Sequence, residues 1–61
     1  MFKLVPYRHG LTYICPGTYT GLPEAVDEAR LTLIHMMGYD KVEVVRIETG
    51  EVVYTAEWGR L

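Results

Sequence analysis

Between Lys41 and Trp58 the chain runs through β-branched and apolar residues with a single interruption, Glu48-Thr49-Gly50-Glu51. That pattern dictates two strands joined by a tight turn, and every other element has to pack around the resulting ribbon. A two-residue loop at Thr49-Gly50 would set Glu48 opposite Glu51, a like-charge pair that costs stability. A three-residue loop with Gly50 in the left-handed conformation avoids that contact. Its register puts Lys41 opposite Glu57, Val44 opposite Tyr54 and Val45 opposite Val53. One face then carries Val42, Val44, Arg46, Val52, Tyr54, Ala56 and Trp58, and the other Glu43, Val45, Ile47, Val53, Thr55 and Glu57. Both faces are partly apolar. A helix covering the first would leave Val45, Ile47 and Val53 facing outward, on a side more apolar than antiparallel sheets usually solvate.

The middle of the chain predicts that helix. Pro23 suits a first helical position, and Leu22, Val26, Ala29, Leu33, Met36 and Met37 recur at the three-and-four spacing of one helical face. Gly38 stands where a left-handed cap ends the helix, with Tyr39 able to fold back on it. Glu24, Asp27 and Glu28 crowd the first turns, where the helix dipole favours carboxylates. Leu31 and Ile34 project away from the main stripe beside His35, so the second half of the helix is apolar nearly all round.

The first third supports two readings. In one, Phe2, Leu4 and Val5 form a strand, His9-Gly10 a tight turn, and Leu11-Thr12-Tyr13-Ile14-Cys15 a second strand. In the other, the segment is one strand with an irregular loop. Pro6 cannot donate to a ladder, which places the opening strand at a sheet edge or interrupts it there. Pro16-Gly17-Thr18-Tyr19-Thr20-Gly21 forms a loop, with Thr20 available to support the helix entry. The order predicts a single α+β domain over residues 1–61: a three- or four-stranded antiparallel sheet with one helix packed on one face.

A chain of 61 residues buries only about 60% of the surface its unfolded form exposes, so its core is marginal without a staple or a partner. Cys15 has no second cysteine to pair with, which fits a reducing cytoplasm. Six Lys and Arg against eight Asp and Glu, a net charge of −2, give no bulk field to draw in a phosphate backbone. The opening Met1–Tyr7 is too short in apolar residues for a secretory signal, and no stretch approaches the roughly 20 apolar residues that cross a bilayer. The expectation is a cytoplasmic protein without membrane contact.

Few constellations carry chemistry. Cys15 with His9 or His35 is the only nucleophile and base combination, and nothing in the spacing supplies the base or the cationic surroundings a reactive thiol needs. Two histidines and one cysteine fall short of a four-ligand zinc set. Glu24 with Glu28 faces outward on the helix and Glu48 with Glu51 flanks a turn, so neither pair has a desolvating pocket. Gly17 and Gly21 frame a loop, but the following helix opens with Pro23-Glu24, whose carboxylate repels an anion. The reading is no enzyme, no cofactor and no metal.

Tyrosine, tryptophan and arginine are enriched at protein interfaces, a role that needs no net positive charge. The expected partner-binding set is therefore Val45, Arg46, Ile47, Val53, Tyr54 and Trp58, and a homodimer would use the same surface. The alternative is a small nucleic-acid-binding module built on Tyr7, Arg8, Tyr13 and Lys41. It is disfavoured because stacking platforms sit in a basic groove, whereas Lys3, Arg8, Lys41, Arg46 and Arg60 are the only cations outside the helix.

Leu22-Pro23-Glu24-Ala25-Val26-Asp27-Glu28-Ala29, then Gly38 and Lys41-Val42-Glu43-Val44-Val45-Arg46-Ile47, resembles the helix and following strand of very short phage-encoded host-takeover proteins, such as small phage inhibitors of bacterial RNA polymerase. The resemblance implies an acidic, compact domain that binds and modulates a host enzyme, with arginines on the strand after the helix as main contacts. Arg46 falls on one such position. Glu48 stands where the family has a second arginine, and the turn at 48–51 followed by a long last strand also departs from the family pattern.

Overall fold

The computed structural model describes residues 1–35 and 38–59. Strands β1 (Phe2–Arg8) and β2 (Leu11–Thr12) precede helix α1 (Leu22–His35), which is followed by β3 (Lys41–Arg46) and β4 (Val52–Glu57). The strands form one sheet in the order β2-β1-β3-β4, every neighbouring pair antiparallel. One helix on a four-stranded antiparallel sheet is the expected α+β arrangement.

The first third is a hairpin. His9 and Gly10 both have positive φ, 52° and 79°, the conformation whose twist matches two antiparallel strands joined by two residues. Arg8 faces Leu11 and Tyr7 faces Thr12 across it. His9 N–H donates to Asp40 Oδ2 at 2.8 Å, tying this turn to the approach of β3. The second strand spans two residues where Leu11–Cys15 was expected, and Pro6 is the reason. Tyr13 N–H donates to the Pro6 carbonyl at 2.9 Å, but proline has no N–H to return, so the ladder ends there. Pro6 itself corrects the edge expectation: it lies buried inside a continuous β1, between β2 and β3. It is tolerated because its missing donor points toward β2 and not toward β3.

The chain comes back to the same edge at Tyr19, which exchanges two backbone hydrogen bonds of 2.8 and 2.9 Å with Phe2. Residues 11–19 thus cap both ends of β1 on its outer side.

In the second hairpin Lys41 faces Glu57 and Val44 faces Tyr54 as expected, but Val45 faces Val52 and not Val53. The reversal is longer than three residues. Gly50 N–H donates to the Arg46 carbonyl and Arg46 N–H to the Glu51 carbonyl, each at 2.8 Å, so residues 47–50 turn the chain. Gly50 keeps its expected positive φ of 75°. The extra residue is absorbed as a β-bulge at Val53, which packs against the core cluster and leaves Val52 exposed. Ile47 leaves the β4 ladder altogether and donates its N–H to the Met1 carbonyl at 2.9 Å.

The core joins Phe2 and Leu4 of β1, Val42 and Val44 of β3 and Ala56 of β4 to Ala25, Ala29 and Leu33 of α1. The buried helical stripe is rotated from the expected one: Leu22 is exposed and Val26 half-buried, while Ala25 is fully enclosed. Alanines at 25, 29 and 56 let the helix backbone settle close to the sheet, and small size decides the contact more than hydrophobicity. Leu31 and Ile34 are exposed, as expected. The expected stripe members Met36 and Met37 lie outside the described residues, as does Arg60. Gly38 has the positive φ, 103°, that a chain reversal after a helix requires.

Among the described residues Leu33 is the largest fully enclosed side chain. Leu33→Ala removes its transfer energy and opens a cavity, and is expected to cost about 2–5 kcal/mol. Against the roughly 5–15 kcal/mol typical of whole domains that loss should abolish or sharply lower the thermal transition followed by circular dichroism. A shift within the error of the melting temperature would contradict the core assignment.

Candidate functional site

Helix α1 packs on β1, β3 and β4 from one side, and among the described residues no element packs on the other. The register arranges that uncovered face in three cross-strand rows: Tyr7, Lys41 and Glu57; Val5, Glu43 and Thr55; Lys3, Val45 and Val52. Its two ends differ in chemistry.

At the first row Lys41 Nζ stands 3.6 Å from Glu43 Oε2 and 4.6 Å from the centre of the Tyr7 ring. The Tyr7 hydroxyl hydrogen-bonds to the Glu43 carboxylate, which with some burial holds the phenol above its ordinary pKa. Lys41 is therefore matched by its own neighbours. Arg8, another cation of the nucleic-acid alternative, lays its guanidinium against Gly38, where an added Cβ would meet Arg8 Cζ at 3.2 Å. Tyr13 instead turns toward Tyr39, the ring centres 5.8 Å apart.

The third row is the apolar end. Val45 lies on the uncovered face but is only 7% exposed, which corrects the expectation that it faces outward. It is flanked by Lys3 on one side and Val52 on the other, and a lysine stem shelters apolar surface while its ammonium stays in water. Val53 is corrected as well, since the bulge sends it to the core. What remains outward is Ile47, 42% exposed as expected, and Val52, 46% exposed, which was not singled out.

The remaining expected contacts lie elsewhere. Arg46 falls opposite Phe2 in the β1–β3 register, its guanidinium 5.3 Å from the Phe2 ring and its Nε 3.8 Å from Glu51 Oε1. Tyr54 packs beside the core under the helix, its hydroxyl accepting from Arg30 Nε at 3.1 Å. Trp58, 58% exposed, stands at the far end of β4, its indole N–H donating to the Tyr39 carbonyl at 3.2 Å. The six residues do not share one patch; Ile47 is the aliphatic one of them that is well exposed, and Val52, paired opposite Val45, is exposed at the same end of the sheet.

Glu48 and Glu51 avoid each other by taking separate partners, the Met1 ammonium for Glu48 and Arg46 for Glu51. The Glu48 oxygens accept from the Met1 ammonium at 2.8 and 3.0 Å, and these hydrogen bonds hold its carboxyl below the ordinary glutamate range.

A cleft of about 270 Å³ opens between Lys3–Val5 and residues 12–15. Cys15 lines it, and burial, with the Glu28 carboxylate adding, pushes its thiol up. Both causes keep the sulfur protonated, the reverse of what an attacking cysteine needs. Among the described residues no hydrogen bond links Cys15 to His9 or His35, and no group of three or more His, Cys, Asp or Glu is placed to hold a metal. No described helix is long and apolar enough to cross a membrane.

No protein-family model, curated protein or solved structure matches the chain.

The Glu48 contact has a definite sign with pH. A carboxyl whose folded pKa is depressed stabilises the fold above its unfolded pKa and loses that contribution as pH falls through the folded one. Carboxyl-detected NMR should find Glu48 titrating below the ordinary glutamate range, and acetylation of the Met1 amine should return it to that range. A Glu48 titration unchanged by acetylation would show the contact to be absent in solution.

Proposed function

We propose that the chain is a non-enzymatic protein-binding module that docks through the apolar end of its uncovered sheet face. The observation that carries this reading is that Ile47, two residues beyond Val45, and Val52, paired opposite Val45, are both exposed at the end of a face on which no described element packs. Exposed aliphatic side chains at one end of a sheet face are chemistry suited to a complementary apolar surface, with Lys3 at the rim. In this reading the charged row of Tyr7, Lys41 and Glu57 lies outside the contact and keeps the rest of the face wetted.

The likeness to short phage-encoded host-takeover proteins supports a finer version, in which the partner is a host enzyme in the reducing cytoplasm and binding modulates or inhibits it. Arg46 is the residue that likeness points to. Its engagement with Phe2 and Glu51 orders it beside Ile47, at the border of the apolar end, where it would act as a polar rim contact.

Ile47→Asp places a charge in the middle of the proposed contact at an exposed position, so the fold should tolerate it. Immobilised wild-type chain should retain a stoichiometric partner from a bacterial lysate, and Ile47→Asp, with an unchanged circular dichroism spectrum, should lose at least about tenfold in affinity for that partner. Equal retention by both chains, or no stoichiometric partner for either, would overturn the reading.

A further inference from the structure

Among the described residues, one margin of the sheet is covered and the other is not. On the β1 side, Tyr13 and Tyr19 bond to backbone groups of Pro6 and Phe2. On the β4 side the direction of the backbone groups follows from the ladder. Arg46 N–H points at β4, since it donates to Glu51, while Ile47 N–H points at Met1; even-numbered residues of β3 therefore face β4. Val44 and Val42 face Tyr54 and Ala56, which turns the N–H and C=O of Thr55 away from the sheet. No strand or loop among the described residues pairs with them. The strand contains no proline and no lysine, the residues that commonly guard an edge, and its bulge lies at its beginning, two residues before Thr55.

We propose that this edge pairs with β4 of a second copy of the chain, antiparallel about a two-fold axis at Thr55, joining two four-stranded sheets into one. A two-fold axis beside a strand makes an antiparallel pair, and an interface of this kind must complement itself. The charges select the register. With the axis at Tyr54, Glu51 would meet the partner's Glu57, a like-charge pair. With the axis at Ala56, Val52 and Val53 would pass beyond the overlap with β4. At Thr55 residues 53–57 of the two copies overlap and no carboxylate faces another.

The helix adds to the same contact. The Arg30 bond to Tyr54 marks the flank of α1 that lies over β4, and exposed Ile34 and Asp27 share that flank at one-turn spacing. In a joined sheet both helices lie on one side with these flanks turned toward each other, so each offers an apolar residue and both signs of charge across the axis. One strand edge with one helix flank is small beside the roughly 800 Å² per partner of a standard interface, which makes the dimer weak and concentration-dependent. The inference uses the sheet edge and not the Ile47 and Val52 surface, and it stands apart from the docking role proposed above.

Sedimentation equilibrium across a concentration series tests it on the wild-type chain, Thr55→Pro, Thr55→Lys and Ile47→Asp. Thr55→Pro removes the outward donor without touching the ladder to β3, and Thr55→Lys sets two ammonium groups against each other at the axis. The wild-type chain should pass from monomer to dimer with rising concentration. Either Thr55 variant should raise the dimer dissociation constant at least about tenfold with its circular dichroism spectrum unchanged, while Ile47→Asp should leave it unaltered. Should Thr55→Pro fail to fold, Thr55→Lys decides. A wild-type chain still monomeric at about 1 mM, or a folded Thr55→Lys that dimerises as tightly as wild type, would overturn the proposal.

Discussion

Six consecutive pairs, from Phe2 with Arg46 to Tyr7 with Lys41, bring the start of the chain against its second half, and the remaining elements are placed by this contact between β1 and β3. Phe2, Leu4, Val42 and Val44 supply the surface on which α1 lies. The pairing survives a proline at its centre because alternation in an antiparallel ladder sends the backbone groups of successive residues to opposite sides, and Pro6 falls on the side away from β3. The same residue ends β2 after two positions, frees the chain to leave the edge as a loop, and so opens the cleft beside Leu4 before Tyr19 closes the edge again. One missing N–H shapes a third of the molecule.

The two margins of the sheet are consequently unlike. Residues 11–19 lie on the β1 margin, and no described element covers the β4 margin or the face opposite the helix. On that face the chain partly protects itself, with a salt-bridged, tyrosine-backed row at one end and Lys3 paired beside the buried Val45 at the other. On this face the exposed apolar residues are Ile47 and Val52, and on the β4 edge the unpaired backbone groups are those of Thr55. A domain this small has a marginal core, and either contact would add buried apolar area that the isolated chain lacks.

Much of this was legible in the residues. His9-Gly10 announces a two-residue turn, the interruption at Glu48–Glu51 announces the second hairpin, and the register from Lys41 to Val44 follows from keeping Glu48 away from Glu51. The bulge was not legible, because Val52 and Val53 are the same residue type and no local signal says which one turns inward; the longer reversal at 47–50 decides it. The helical stripe was read correctly at Ala29 and Leu33 and wrongly at its start, where Leu22 and Val26 were counted for their size and the small Ala25 is the residue enclosed. Val45 was expected to face outward, yet on the uncovered face it is only 7% exposed. Arg46, Tyr54 and Trp58 were chosen as residue types enriched at interfaces, and the structure gives each a local partner in Phe2, Arg30 and Tyr39.

The claim that β4 is the uncovered margin is most directly examined by residue-resolved amide hydrogen exchange, measured by NMR in dilute and in concentrated solution. The account predicts that in dilute solution the Thr55 amide exchanges rapidly between protected Tyr54 and Ala56, and that it gains protection on concentration while the amide of Ile47 does not change. A Thr55 amide as protected as that of Ala56 in dilute solution, or one that exchanges equally fast at every concentration, would contradict it.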